Sequence, residues 1–167
     1  MIILGVNAYH PNSSACLLIN GELKVAIEEE RINRMKNWSG LPIEAIDYCL
    51  KSQNIKLSEV DNIAINQNFY ANIFSKLKYS FLKKPDFSFI TKTLKNKIKR
   101  QNLLKLLQQK LGGIKNSCKL VGIEHHLSHI SYAFFDSNYD TSANVSVDGF
   151  GDFASTTWGL GKKEKLI

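Results

Sequence analysis

Short apolar runs separated by polar turns fill the first part of the chain. The runs lie at 2–6, 15–19 and 23–27, and each has the length of a β-strand. Asn20-Gly21 separates the second run from the third, and this dipeptide is the strongest two-residue signal for a hairpin. The pattern therefore predicts three strands in an antiparallel meander.

Helical spacing of apolar positions starts after a polar stretch over residues 28–40, which we interpret as a loop. The later predicted elements are a helix over 42–53, a strand over 60–65, a helical stretch over 70–111 that ends at Gly112-Gly113, a strand over 119–123, a helix over 125–135 and a hairpin of 144–147 with 154–160. A hairpin followed by alternating helices and strands is the element order of a ribonuclease-H-like α/β unit. We thus predict a mixed sheet with helices on both faces.

The end of the chain repeats the plan of its beginning. Residues 145–149 (VSVDG) precede a hairpin strand, as residues 4–8 (LGVNA) do. Because the repeat begins where one unit would end, we predict a first lobe over 1–143 and the opening hairpin of an incomplete second lobe over 144–167. On this interpretation the chain is the N-terminal piece of a larger two-lobed protein.

Composition narrows the class of protein. The 167 residues are 44% hydrophobic and 22% charged, as is usual for a globular domain. No apolar run approaches the roughly 20 residues that a membrane span needs, and the first ten residues lack the features of a signal peptide. Three scattered cysteines are too few for a disulfide framework, so the sequence predicts a reduced, cytoplasmic protein.

The net charge of +7 is concentrated in one segment. Residues 76–119 hold 13 Lys or Arg and a single Asp, whereas the rest of the chain holds 9 basic and 14 acidic residues. We predict a basic helical insert over 66–118, which either meets phosphate or an acidic partner or forms a solvated helical face.

Three of the four histidines lie within five residues, in the segment EHHLSH (124–129). On the predicted helix, His125 and His129 are one turn apart and share a face, which suits two ligands of one metal ion. Asp148 ends a predicted strand and is a candidate third ligand, giving a two-histidine, one-carboxylate site. His126 points about 100° away from His125 on a helix and either supports the ligands or faces the substrate.

Two further loops suit the binding of phosphate. Gly149 and Gly151 allow a phosphate to approach the backbone closely, although Gly and Asp also form ordinary hairpin turns. Asn12 and Ser13 follow the first strand and can donate hydrogen bonds to a phosphate or a carbonyl, although such residues also build turns. Ligands of open α/β sheets bind at the carboxyl ends of strands, so all four are candidate cofactor-binding residues.

Four segments, in order along the chain, resemble the O-carbamoyltransferases of nodulation and antibiotic tailoring. They are ILGVNAYHPNSSACLLINGEL (3–23), VAIEEERINRMK (25–36), EHHLSHISYAFF (124–135) and VSVDGFGDFAS (145–155). The resemblance implies the Kae1-like fold of the sugar-kinase, Hsp70 and actin superfamily, of which this chain would supply the first lobe and the opening of the second.

The resemblance also implies an activity. Members of this family use carbamoyl phosphate and ATP to form a carbamoyl-adenylate in a YrdC-like C-terminal domain. Their Kae1-like domain then passes the carbamoyl group to a hydroxyl of a small-molecule or sugar acceptor. On this basis we expect the chain to be inactive alone and to need its C-terminal half, in the same protein or in trans.

Roles for individual residues follow from the resemblance as well. The family's metal is divalent, iron in the first instance with manganese, magnesium or zinc as alternatives, and its ligand positions match the two histidines and the aspartate described above. His10 and Lys36 match substrate contacts. His10 or His126 is a candidate acceptor for the hydroxyl proton.

Two other functions remain open at this point. A tRNA threonylcarbamoyl transferase subunit shares the two-histidine motif and would explain the basic insert. A non-catalytic fragment that binds phosphate or nucleic acid through residues 76–119 is a further alternative, which would bind RNA in a salt-dependent manner. We favour the O-carbamoyltransferase over both.

Overall fold

The computed structural model describes residues 1–68, 71, 102–151 and 154–167. They divide between two compact units, the first with residues 1–66 and 102–121 and the second with the remainder. The first unit contains β1 (Ile2–Asn7), β2 (Ser14–Ile19), β3 (Glu22–Glu28), α1 (Glu30–Asn33), α2 (Ile43–Ser52), a 3-10 turn (Leu57–Glu59), β4 (Asn62–Ile65), α3 (Leu103–Leu111) and β5 (Lys119–Gly122). The second contains α4 (His125–Phe135), β6 (Thr141–Gly151), β7 (Ala154–Lys162) and β8 (Lys165–Leu166).

The first unit is built on a five-stranded sheet with the order β3-β2-β1-β4-β5. β2 runs antiparallel to both β1 and β3, whereas β4 runs parallel to β1. The predicted meander and the predicted mixed sheet are therefore confirmed. Most of the predicted insert, residues 69–70 and 72–101, lies outside the described residues.

The core lies on one face of this sheet, because alternate strand residues point to the same side. Leu4 pairs with Leu17 on β2 and with Ile63 on β4, and all three side chains are fully buried. Two helices that contact each other, α2 and α3, supply the opposing apolar residues. Each large aliphatic side chain buried in this way contributes about 2 kcal/mol to folding. Helical cover on the other face stays a prediction.

The stretch predicted as a loop over 28–40 contains one helical turn, α1, which the sequence interpretation missed. Arg34 ends this turn in a left-handed conformation, with φ of 60°. Glu29, just before the turn, is only 3% exposed, and its carboxylate accepts hydrogen bonds from the backbone N–H groups of Glu44 (3.3 Å) and Ala45 (2.7 Å). The buried carboxylate thus satisfies two N–H groups at the start of α2, which have no partner within that helix.

The second unit is an antiparallel meander, β6-β7-β8, packed against α4. The predicted helix over 125–135 and the predicted hairpin are confirmed, and β8 extends the hairpin to three strands. Gly161 allows the close packing of β7 on α4, because a Cβ atom there would lie 2.3 Å from a ring carbon of Phe134. The boundary between two lobes at residue 143 stays a prediction.

Two further predictions concern the oxidation state of the cysteines and membrane-spanning segments. Cys16, Cys49 and Cys118 are all free thiols, and burial raises the pKa of Cys49 to about 11, so this thiol is inert at neutral pH. Within the described ranges, no helix has the length and the hydrophobicity to cross a bilayer.

Candidate metal centre

The start of α4 is fixed by its own N-cap residue. The Glu124 carboxylate accepts hydrogen bonds from the backbone N–H groups of His126 (3.1 Å) and Leu127 (2.6 Å). This cap places His125 in the first turn of the helix and His129 one turn later on the same side. Sequence analysis did not single out Glu124, although an acidic residue directly before a helical run is a recognisable N-terminal signal.

The three predicted metal ligands come together in the second unit. Nε2 of His125 lies 2.8 Å from Oδ2 of Asp148, and Nε2 of His129 lies 3.2 Å from the same oxygen. The two Nε2 atoms are 3.3 Å apart. Three donor atoms from two elements therefore form a small triangle.

The size of this triangle fits the coordination of one cation. Ligands about 2.1 Å from a zinc-like ion are separated by about 3.0 Å in an octahedron and about 3.4 Å in a tetrahedron. Two of the three donor distances, 3.2 and 3.3 Å, lie within that range, and the third, 2.8 Å, lies just below it. Two imidazole nitrogens and one carboxylate oxygen are also a donor set that zinc, iron and other divalent transition metals accept.

Exposure differs among the three ligands. The His125 side chain is only 9% exposed, whereas those of His129 and Asp148 are 52% and 42% exposed. His125 is thus anchored in the protein, and the side of the cluster formed by the other two residues faces solvent. An ion held here would have coordination positions open to a substrate.

Asp148 is held as a carboxylate. A hydrogen bond from His125 lowers its pKa to about 2, assisted by the backbone N–H of Gly149 and by the nearby charge of His129. The Gly149 N–H donates to Oδ1 at 2.6 Å, which leaves Oδ2 directed at the two histidines. A carboxylate ionised at neutral pH is the form that binds a cation.

Of the two candidate glycines, Gly149 lies within an irregular segment of β6, and Gly151 lies at the end of that segment. The register of β6 against β7 shifts between Val147 and Gly151, and Gly151 pairs with Ala154 at the end of the hairpin. Gly149 is exposed, and among the described residues no atom outside its chain neighbours lies within 4 Å of the place a Cβ would occupy. The backbone at Gly149 is therefore accessible to a ligand, and the binding of a cofactor by either glycine stays a prediction.

His126 lies in the interior of the second unit. Its side chain is fully buried. Nδ1 lies 3.1 Å from the Ser146 hydroxyl, and Nε2 lies 2.8 Å from the carbonyl oxygen of Ala154. Both ring nitrogens thus have partners within the protein, an arrangement that suits the supporting role, and the role of His126 as a proton acceptor stays a prediction.

Ser13 lies inside the loop that follows β1, and its role as a cofactor-binding residue stays a prediction. It is fully buried, and its hydroxyl lies 2.9 Å from the carbonyl oxygens of both His10 and Gly40. Because the hydroxyl is directed at two backbone acceptors, it holds the loop after β1 in place. Asn12 is exposed with φ of 59°, and its carbonyl accepts a hydrogen bond from the Asn7 side chain at 3.1 Å.

The two predicted substrate contacts lie on the surface of the first unit. His10 is exposed, and its Nδ1 lies 3.1 Å from the carbonyl oxygen of Pro11. A carbonyl can only accept, so Nδ1 is the donor in this contact. Lys36 is exposed as well. The metal cluster itself draws all its ligands from the second unit.

Comparison with known proteins shows which family the chain belongs to. Residues 2–167 match the family model described as Carbamoyltransferase N-terminus. The chain belongs to this family. The four segments that resemble carbamoyltransferases thus lie within a match that extends over nearly the whole chain.

Curated relatives of this carbamoyltransferase chain are much longer than it is. It is 32% identical over 172 residues to the Uncharacterized protein sll1178 of Synechocystis sp., covering 98% of this chain and 28% of the relative. It is 32% identical over 157 residues to the Nodulation protein NolNO of Sinorhizobium fredii, covering 93% and 22%. The chain spans about a quarter of the length of these relatives.

Among solved structures, YeaZ from Pseudomonas aeruginosa is similar to this chain with a TM-score of 0.49 and 15% sequence identity. The match covers 99% of this chain and 63% of that chain.

Proposed function

We propose that this chain is the metal-holding N-terminal part of an O-carbamoyltransferase. The observation that carries the proposal is the convergence of His125, His129 and Asp148 on one small triangle, in a chain of the carbamoyltransferase family. Neither the family nor the triangle alone would support a transferase site in this unit. Together they connect a reaction class to a particular set of atoms.

The reaction proposed is the transfer of a carbamoyl group from carbamoyl-adenylate, made from carbamoyl phosphate and ATP, to a small-molecule or sugar hydroxyl. The hydroxyl oxygen bonds to the carbamoyl carbon, and the bond from that carbon to the phosphate oxygen breaks. AMP leaves with the bonding electron pair, and the hydroxyl proton passes to a base. Of the two histidines predicted to accept that proton, His10 is the exposed one, and we propose it as the base.

The ligands in the second unit have separate tasks in this proposal. His125 and His129 direct neutral imidazole nitrogens at the cation, and Asp148 supplies a negative charge that lowers the net charge of the site. A divalent ion held there, with iron the first candidate, would bind phosphate oxygens and stabilise the charge that develops on the leaving AMP. The exposed Gly149 backbone provides room for phosphate beside the aspartate.

The second unit also supports the proposal that further polypeptide completes the enzyme. Through the internal repeat, the pair Leu4–Leu17 of the first unit corresponds to the pair Val145–Trp158 of the second. Leu4 and Leu17 are fully buried, whereas Val145 and Trp158 are 63% and 78% exposed. A face that is core in the first copy is therefore uncovered in the second. We propose that it is covered by the later part of a second lobe, in the same protein or in trans.

Loss of metal on removal of one ligand tests the proposed site. The purified chain, loaded with Fe²⁺ or Mn²⁺ under anaerobic conditions and dialysed, is expected to retain about one ion per chain. His129→Ala is expected to retain only a small fraction of that content. Asp136→Asn, at the C-cap of the same helix and outside the cluster, serves as the matched control and is expected to bind metal as the wild type does. Equal metal stoichiometry in His129→Ala and the wild type would rule out this assignment.

The other functions predicted from the sequence stay predictions, as does the cytoplasmic location. Binding of nucleic acid through residues 76–119 depends mainly on lysines outside the described residues. Within the described part, Lys115 is already engaged in an ion pair with Asp61 at 2.8 Å. A tRNA-directed threonylcarbamoyl transferase would use the same metal ligands. An assay that compares transfer to tRNA with transfer to a small-molecule hydroxyl distinguishes it from an O-carbamoyltransferase.

A further inference from the structure

We propose that His126 is a positioning residue. Its hydrogen bonds hold α4 against the β6–β7 hairpin and thereby set the distance between the two histidine ligands and Asp148. The inference rests on the proposed metal site. It adds a residue that does not touch the ion but determines whether the three ligands meet.

The hydrogen bonds of His126 define a single arrangement of the ring. The Ala154 carbonyl can only accept, so Nε2 of His126 carries the hydrogen and donates it at 2.8 Å. Nδ1 lies 3.1 Å from the Ser146 hydroxyl, which can donate to it or accept from it. Each polar atom of this fully buried side chain therefore has a partner.

These partners lie on two different strands. Ser146 belongs to β6 and Ala154 to β7, so one side chain from α4 bonds to both strands of the hairpin. The surrounding contacts are apolar and tight, because added Cβ atoms at Gly159 and Gly161 would lie 3.1 Å from Ile130 and 2.3 Å from Phe134. The His126 bonds therefore supply directional contacts within an otherwise non-directional interface.

His126 and its partner Ser146 lie close in the sequence to the metal ligands. His126 directly follows His125 on α4, and Ser146 precedes Asp148 by two residues on β6. In a β-strand, residues two apart point to the same side, so Ser146 and Asp148 both face α4. A shift of α4 along β6 would change the His125–Asp148 distance and the His126–Ser146 distance together.

Loss of the hydrogen bonds from His126 to Ser146 and Ala154 is expected to weaken metal binding by a protein that still folds. Residues that orient metal ligands typically change metal affinity by about 10–100-fold when they are mutated. His126→Leu keeps the volume and the apolar contacts but removes both hydrogen bonds. His126→Gln keeps an N–H donor for the Ala154 carbonyl. We expect the first variant to lose affinity in that range and the second to recover part of it.

The experiment measures Co²⁺ binding by the d–d absorption bands of the protein, which report both the dissociation constant and the coordination geometry. Ser146→Ala provides a second variant in which the imidazole is retained, and it is expected to weaken Co²⁺ binding in the same direction. Ser128→Ala, on the same helix with its hydroxyl bonded only to the Glu124 carbonyl within the described contacts, is the matched control. Circular dichroism verifies that each variant is folded.

The outcomes separate this inference from the proposed function. If the wild type binds Co²⁺ and the band positions and affinity of folded His126→Leu and Ser146→Ala equal those of the wild type, His126 has no positioning role and the metal site stands. If the wild type itself binds no Co²⁺, the metal site fails and the positioning role fails with it. A changed spectrum in His126→Leu, restored towards that of the wild type in His126→Gln, supports the proposal.

Discussion

At the scale of single residues, buried polar side chains determine which loops and helices are held in place. Glu29, Ser13 and His126 are all almost fully buried, and each is hydrogen-bonded to backbone groups of another element. A buried polar group without a partner costs about 1–3 kcal/mol, so each of these residues constrains its surroundings. Chemically reactive side chains are therefore not automatically catalytic in this fold.

Replacement of Glu29 by alanine is expected to destabilise the first unit. The change leaves the N–H groups of Glu44 and Ala45 without an acceptor at the buried start of α2. We expect the free energy of unfolding to fall by about 2 kcal/mol, the upper range for loss of a helix N-cap. Urea unfolding followed by circular dichroism measures it. Glu28→Ala, next to it but with a side chain 40% exposed, is the control, and an equal effect of both variants would contradict the capping role.

At the scale of elements, α4 and the β6–β7 hairpin carry the three ligands of the candidate metal centre and position them. The helix supplies two ligands at a spacing of four residues, and the strand supplies the third from a position 19 residues further along the chain than His129. The close approach of these elements depends on glycines of β7, which leave room for side chains of α4. Packing between elements thus sets the ligand geometry.

Substitution of Gly161 by alanine tests this packing. The new methyl group would overlap the buried Phe134 ring, which cannot move without displacing its neighbours. Overpacking of this kind costs about 1–3 kcal/mol. We expect a lower midpoint of thermal unfolding for Gly161→Ala, partly restored by the double variant Gly161→Ala with Phe134→Leu. Gly113→Ala, where nothing lies within 4 Å, is the control, and a loss in both single variants would show that steric overlap is not the cause.

At the scale of the whole chain, contacts between distant segments close the first unit. Asp61 accepts a hydrogen bond from the backbone N–H of Ile2 at 2.8 Å and pairs with Lys115 at 2.8 Å. One carboxylate therefore connects the N-terminal strand with the loop before β5. The Lys115 hydrogen bond, followed by that of Ile2, lowers the pKa of Asp61 below its ordinary value.

This lowered pKa predicts the direction of a pH effect. A carboxylate with a depressed pKa in the folded state stabilises that state above its unfolded pKa of about 3.8, and the contribution is lost as the pH falls towards the folded value. Asp61→Asn is therefore expected to be less stable than the wild type at pH 7, with a difference that shrinks below about pH 4. Urea unfolding at several pH values measures this. A difference that is constant with pH would exclude the ionised carboxylate as its cause, and Asp47→Asn, in the exposed pair with Lys51, is the control.

Local patterns were sufficient for most of the elements. Alternation of apolar residues and the Asn20-Gly21 turn predicted the meander, and helical spacing predicted α2 and α4. These signals are local, because the backbone repeat alone decides which residues share a face. The turn α1 was missed since its partner contacts involve Glu29 and a helix that starts more than ten residues later.

For the candidate metal centre, the sequence by itself determined that His125 and His129 share one side of a helix, because four residues make about one turn. Only the tertiary structure decided which side of α4 meets the hairpin, and with it that Asp148 reaches the pair while His126 is turned into the interior. A helical repeat fixes the angles between side chains but not the rotation of the helix against its neighbours. That rotation is set by the packing of residues far apart in the chain, which a periodic pattern does not contain.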